Sequence, residues 1–262
     1  MKKLLLFFII VLGLSANIVK SPVVSVDGNS ATIKIDKIDV GMSGFVVHKL
    51  DKNHSTILKS VVVESFDKKT KIASLVISDY NMLDNSALPS GNWSVKVGDT
   101  VILAFGYKRG FLVAPNDDIY YKIIKSAKDV EWIHPDIFAM ILSTNGHLTP
   151  LKSDFKMMSD TVSVGIFFFY LNQKLFTVDA KSFKILNISD APLVQKNVQL
   201  PFYTRIQEID SDWWGAGSSK IDDYETYYYE LLVEYNKNNK ELYSIIKQGD
   251  TKLHDLLNDF EL

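Results

Sequence analysis

Apolar periodicity changes once along this chain, and the change is confined to residues 97–125 (V-G-D-T-V-I-L-A-F-G-Y-K-R-G-F-L-V-A-P-N-D-D-I-Y-Y-K-I-I-K). Before it, apolar residues alternate with polar ones in short runs broken by Gly and Asp; after it, helical spacing mixes with β-rich runs. A period of two puts side chains on alternate faces of a strand, whereas a period near 3.6 puts them on one side of a helix. The chain is therefore expected to be α+β, built as two unlike halves joined here. At the joint, β-rich runs at 100–105 and 110–114 meet at a Gly-Tyr-Lys-Arg-Gly turn, and the second run breaks at Pro115 into a helix start.

The first half reads as five or six short strands. Residues 22–36 form a hairpin in which Val24, Val26, Ile33 and Ile35 alternate with polar residues around Asp27-Gly28, a strong turn signal. Further strands are expected at 45–50, 56–66 and 71–78, with a loop at 85–93 leading to the strand at 100–105. Strands at this even spacing suggest a small barrel, closed or half-closed, because closure hides strand edges. An open sheet packed on the second half is the competing arrangement.

In the second half Asn116 can cap a helix that carries Asp117 and Asp118 in its first turn and Ile119, Ile123, Ile124 and Ala127 on one face. A short strand at 130–133 precedes a helix with Pro135 at its start and Asn145-Gly146 at its end. A shorter helix follows Thr149-Pro150. The run 161–171 (T-V-S-V-G-I-F-F-F-Y-L) is the most apolar after the N-terminus and reads as a central strand buried on both faces. Strands at 174–179 and 183–188 follow it, and 200–210 reads as an edge strand. Beyond the loop 211–220, a helix beginning at Asp222 or Asp223 carries Tyr224, Tyr227, Tyr228, Leu231, Leu232 and Tyr235 at helical spacing, and residues 238–262 give one or two more helices. The expected organisation is thus a signal peptide at 1–16, a β-rich barrel-like domain at 17–109, an α+β domain at 110–210, and an aromatic loop with C-terminal helices at 211–262.

The first sixteen residues stand apart: Lys2 and Lys3 form a basic start, residues 4–14 an apolar core, and Leu14-Ser15-Ala16 a small-residue cleavage site. That is the pattern of a secretory signal, with an uncleaved N-terminal anchor as the alternative. No later run reaches the roughly 18 apolar residues of a membrane span, so the mature chain is expected to be exported and to lack a transmembrane segment. Without Lys2 and Lys3 it has 27 basic residues against 31 acidic, a net charge of −4. Nucleic-acid binding, which needs a basic surface, is not expected. Cysteine is absent, which removes disulfides, thiol catalysis, a lipoprotein anchor and Cys-bound zinc.

Neither a catalytic residue, a metal site nor a cofactor is expected. Asp117 and Asp118 are neighbours on a helix start and point about 100° apart, so capping accounts for them better than acid/base work. The five histidines (His48, His54, His134, His147, His254) lack any paired-ligand spacing, although His134 and His147 could meet an acid in space. Gly41-x-x-Gly44 and Gly215-x-Gly217 read as turns. The partner-binding candidates are Trp213 and Trp214 in a Gly/Ser loop and, on the helix behind it, Tyr224 and Tyr228, since aromatic residues with polar tips are favoured at interfaces. The same helical spacing equally describes a core-packing face. Glu225, Glu230 and Glu234 on the polar side speak against a membrane-surface helix.

Six segments, in order along nearly the whole mature chain, are similar to one known family: V-G-M-S-G-F-V-V-H-K-L (40–50), F-L-V-A-P-N-D-D-I-Y (111–120), S-V-G-I-F-F-F (163–169), S-F-K-I-L (182–186), F-Y-T-R-I-Q-E-I-D (202–210) and Y-E-T-Y-Y-Y-E-L-L (224–232). The chain resembles the N-terminal domain of the bacterial plasminogen-binding proteins. The resemblance implies export to the periplasm, outer membrane or cell surface, no enzymatic activity, and a protein partner: host plasminogen or another envelope protein on which the chain docks as a structural adaptor. Receptor-like members carry a Lys/Glu-rich tail ending in lysine, a residue that kringle domains take as ligand. This chain ends Asn258-Asp259-Phe260-Glu261-Leu262, so a terminal lysine is not expected to serve here, and Lys237, Lys240 or Lys252 would be weak substitutes.

Overall fold

The computed structural model describes residues 18–80 and 93–262. The expected signal segment 1–16 and residues 85–92 of the expected loop lie outside the described residues. Two compact units emerge, one ending at Tyr107 and the other running from Lys108 to Leu262.

The first unit is a closed antiparallel barrel. Its strands β1 (Val19–Asp27), β2 (Ser30–Lys34), β3 (Ser43–Lys49), β4 (Ser55–Asp67), β5 (Ile72–Asp79) and β6 (Thr100–Leu103) are ordered β1-β2-β5-β4-β3-β6, and β6 pairs back onto β1 from Val19↔Leu103 to Pro22↔Thr100. Alternation sends Ala31, Ile33, Val46, Val61, Val63, Ala73, Leu75, Val101 and Leu103 inward, all buried. In β1 the inward residue is Val23 (2% exposed), whereas Val24 is 47% exposed. A register shift between Val23 and Ser25 displaces the alternation expected from the sequence. Gly44 sits where β3 crosses closest to β6: a Cβ there would lie 2.0 Å from the Ile102 carbonyl oxygen, so no side chain fits.

The second unit is a mixed five-stranded sheet with helices. β7 (Arg109–Val113) leads to α1 (Asp117–Ser126), β8 (Glu131–Ile133), α2 (Pro135–Asn145), α3 (Lys152–Val162), β9 (Ile166–Leu171), β10 (Lys174–Asp179) and β11 (Ile185–Asp190). The order is β11-β10-β9-β7-β8, with β7 parallel to β8 and β9 and the β9-β10-β11 meander antiparallel. α4 (Tyr224–Tyr235), α5 (Lys240–Gln248) and a 3-10 helix (Thr251–Asp259) complete the chain. Asn116 caps α1, its side chain accepting from the Ile119 amide at 2.9 Å.

β9 is central and buried along its whole length. Phe167, Phe169 and Leu171 join Phe111, Val113, Phe176 and Val178 in one core with Phe138, Phe155, Phe202, Tyr228 and Leu232; Phe168 and Tyr170 point the other way and are buried too. The strand is shorter than the apolar run. Thr161 and Val162 finish α3, Ser163 turns in the left-handed region (φ 57°), and the Ser159 hydroxyl donates to the Val164 carbonyl at 2.8 Å to fix that turn. Phe183, expected at the head of the next strand, is a turn residue at φ 60° whose ring fills the core. Among the described residues no helix is long and apolar enough to cross a membrane.

Candidate functional site

Residues 200–210 form no strand. The segment enters through a cis Leu200-Pro201 bond, and its polar groups bond to loop carbonyls and side chains where a strand would form a ladder. The Tyr203 amide donates to the Ala114 carbonyl at 2.7 Å. The Asp136 carboxylate, in the first turn of α2, accepts from the Thr204 hydroxyl (2.8 Å), the Arg205 amide (2.9 Å) and the Arg205 guanidinium (2.8 Å). Burial works to raise the Asp136 pKa, but these bonds outweigh it and hold the carboxyl below its usual value. One acid thus pins an irregular segment to a helix start.

The pinned segment walls a cleft of about 500 Å³. Its lining includes the apolar Leu200, Ile206 and Ile209, the acids Glu208 and Asp210, and Ser211 and Lys220 from the two feet of the aromatic loop. The loop is tied at its base to the α2–α3 connection. The Asp212 amide donates to the Gly146 carbonyl (2.9 Å), the Leu148 and Thr149 amides both donate to the Gly217 carbonyl (2.7 and 2.9 Å), and the Thr149 hydroxyl donates to the Ser219 carbonyl (2.6 Å). Gly146 caps α2 at φ 70°, and a Cβ there would sit 2.4 Å from the Asp212 carboxyl carbon. Helix end and loop foot therefore approach closely only because that residue is glycine.

From this tied base Trp213 and Trp214 stand 98% and 85% exposed. Exposing two large rings forgoes on the order of 1.5–3 kcal/mol of burial apiece.

Tyr224 and Tyr228, the other expected contact residues, lie in the core at 2% and 0% exposure. The Tyr224 hydroxyl donates toward the Val113 and Tyr170 carbonyls (3.2 and 3.0 Å) and the Tyr228 hydroxyl to the Pro201 carbonyl (3.0 Å). Desolvation pushes both phenols well above their ordinary pKa. They are therefore corrected from contact residues to scaffold: their polar tips satisfy strand-end and loop carbonyls inside the fold. In a helix packed this deeply, helical spacing of aromatics reports the buried face.

Between them Glu225 is the helix's unusual acid. Burial raises its pKa to about 7, against a weaker downward pull from the Asn172 amide, which donates to it at 3.1 Å, and from Lys252. From about pH 4.5 to 7 the folded chain holds a proton that the unfolded chain has released, so stability falls as pH rises, by at most ~1.4 kcal/mol per pH unit and less where solvent screens the group. Glu225→Gln is expected to flatten this slope and to leave the variant more stable than the parent above pH 7. Thermal midpoints recorded from pH 5 to 8 test it; parallel curves for the two proteins contradict it.

The histidines do not converge. His147 donates its Nδ1 proton to the fully buried Asp154 carboxylate, and His134 accepts at Nδ1 from the Asp136 amide. His48 Nδ1 lies 2.6 Å from the buried Asp99 in the barrel unit, beside Trp93. Among the described residues no group of three or more His, Cys, Asp or Glu is placed to hold a metal ion. The pairing of His147 with Asp154 had no local sequence signal; it arises from the α2–α3 turn.

A family model described as the plasminogen-binding protein pgbA N-terminal region matches residues 18–232. Two curated relatives, each named plasminogen-binding protein PgbA, come from Helicobacter pylori strains J99 and 26695. They are 28% and 27% identical to the chain over 204 residues, which is 76% of the chain and 44% and 43% of the relatives. The chain thus spans less than half the length of the curated relatives it matches, and both are named as binding proteins. With more than three quarters of its length under the family match, from the start of the barrel to the last turn of α4, the chain belongs to the plasminogen-binding protein pgbA N-terminal family.

Proposed function

We propose that the chain is an exported, non-enzymatic protein-binding module, with host plasminogen as the first partner to test. The observation that carries this reading is the pair of near-fully exposed tryptophans, Trp213 and Trp214, on a loop hydrogen-bonded at its base. Rigidly presented aromatics are the side chains that most often dominate a protein interface. Plasminogen comes first because both curated relatives carry it in their names. The folded protein is expected to capture immobilised plasminogen at micromolar concentration, with a lysine analogue competing, and Trp213→Ala with Trp214→Ala to weaken capture at least tenfold. No capture at that concentration removes plasminogen from the reading.

A second reading follows from coverage. The activity in the relatives' name belongs to whole proteins of which this chain matches 44% and 43%. The shared domain can then be an adaptor that docks onto another envelope protein through the same loop. Recovery of a partner from envelope extract by the parent, and its loss with the double tryptophan variant, supports this; equal recovery by both proteins counts against it.

A further inference from the structure

We infer that the cleft at the foot of the Trp213-Trp214 loop receives a cationic side chain, lysine or arginine, from an extended segment of a protein partner. This rests on the binding reading above and names the chemistry of the partner. Three features of one place support it. The cleft, at about 500 Å³, has the size of a small-ligand site and holds one or two long side chains. Its wall is apolar at Leu200, Ile206 and Ile209 and acidic at Glu208 and Asp210. Both feet of the loop, Ser211 and Lys220, belong to the same wall, so the exposed indoles stand within three residues of its rim.

A lysine or arginine side chain is an apolar stem with a charged head. The stem matches the apolar wall, the head matches the carboxylates, and an indole face adds cation–π attraction. Glu208 and Asp210 are both exposed, and neither carboxylate has a hydrogen-bond or ion-pair partner among the described residues. Arg205, the nearest arginine in sequence, is already committed to Asp136 at 2.7 Å. Among the residues that line the cleft, two carboxylates, Glu208 and Asp210, stand against one ammonium, that of Lys220. An anionic lipid surface or an acidic peptide would meet this rim with like charge, whereas a basic segment would be drawn to it.

The test uses the folded protein and three probes: a ten-residue peptide alternating lysine and glycine, its glutamate counterpart, and vesicles of phosphatidylglycerol. Binding is followed by tryptophan fluorescence and by calorimetry. The lysine peptide is expected to bind, to weaken as salt is raised, and to lose at least tenfold in affinity both in Glu208→Gln/Asp210→Asn and in Trp213→Ala/Trp214→Ala. The glutamate peptide and the vesicles are expected not to bind. The amide substitutions keep size and shape at exposed positions, and an unchanged thermal midpoint verifies folding. Equal binding of both peptides, response to the vesicles alone, or full affinity in the amide variant overturns the inference. If plasminogen or envelope-protein capture survives in the amide variant but fails in the tryptophan variant, the cationic site is wrong and the binding surface stands. If capture survives in both, the binding surface itself is wrong.

Discussion

Phe155→Ala is expected to cost the second unit about 3–5 kcal/mol, a large part of the 5–15 kcal/mol that holds a typical domain folded. Phe155 is fully buried on α3, and its ring lies 4.6–6.4 Å from those of Phe138, Phe167, Phe169, Phe183 and Phe111. Those five rings come from α2, β9, the turn before β11, and β7, so one side chain joins the helical layer to three parts of the sheet layer. Tilted and edge-on ring pairs add to the area term. A methyl in its place leaves a cavity bordered by stiff rings that fill it poorly. Phe155→Leu, which keeps most of the volume, is expected to cost markedly less. Urea unfolding followed by near-ultraviolet circular dichroism gives both numbers; a loss under ~1 kcal/mol for the alanine variant would mean that the ring cluster does not hold this unit together.

What the sequence made legible follows from which interactions are local. The Asn116 cap, Pro135 at a helix start, Gly146 at its end and the Asp223 cap of α4 are each written within four residues, and the structure carries each of them. The barrel was readable because alternation and even spacing are local, but the displacement at Val23–Ser25 was not, since it depends on how β1 pairs with two neighbours. Residues 200–210 alternate like a strand, yet their amides and side chains are claimed by Ala114 and Asp136, some 70 to 90 residues away in sequence. The loop tryptophans were identifiable as exposed because Gly and Ser around them offer nothing to pack against. The cleft was not, because Glu208 and Lys220 share its wall only after Asp136 has pinned one segment and Gly146 has admitted the other. The tyrosines of α4 could be assigned to the core only when the carbonyls that their hydroxyls satisfy were known.

Asp154→Ala is expected to be the most damaging polar substitution and to reach the binding loop as well as the core. Asp154 is fully buried and accepts from the Asn145 amide (2.7 Å), from His147 Nδ1 (2.9 Å to each oxygen) and from the Leu151 backbone amide (2.7 Å). It therefore binds the last turn of α2, the connection and the first turn of α3. Alanine leaves those donors without an acceptor in a place water reaches poorly, and loss of one partner from such a buried pair costs about 3–5 kcal/mol. Asp154→Asn retains one acceptor oxygen and is expected to cost less. The consequence for the loop comes through the neighbouring residues: Leu148 and Thr149, one and two positions beyond His147, donate the amides that hold the Gly217 carbonyl. If the connection loosens, those amides are expected to exchange hydrogen at least tenfold faster and protease cleavage within 211–220 to increase. Trp213→Ala is the contrasting control: at 98% exposure it should change stability by less than ~0.5 kcal/mol while weakening partner capture. A variant at Asp154 that is destabilised but exchanges normally at Leu148 and Thr149 would show that the loop is held by its own hydrogen bonds, independently of the buried carboxylate.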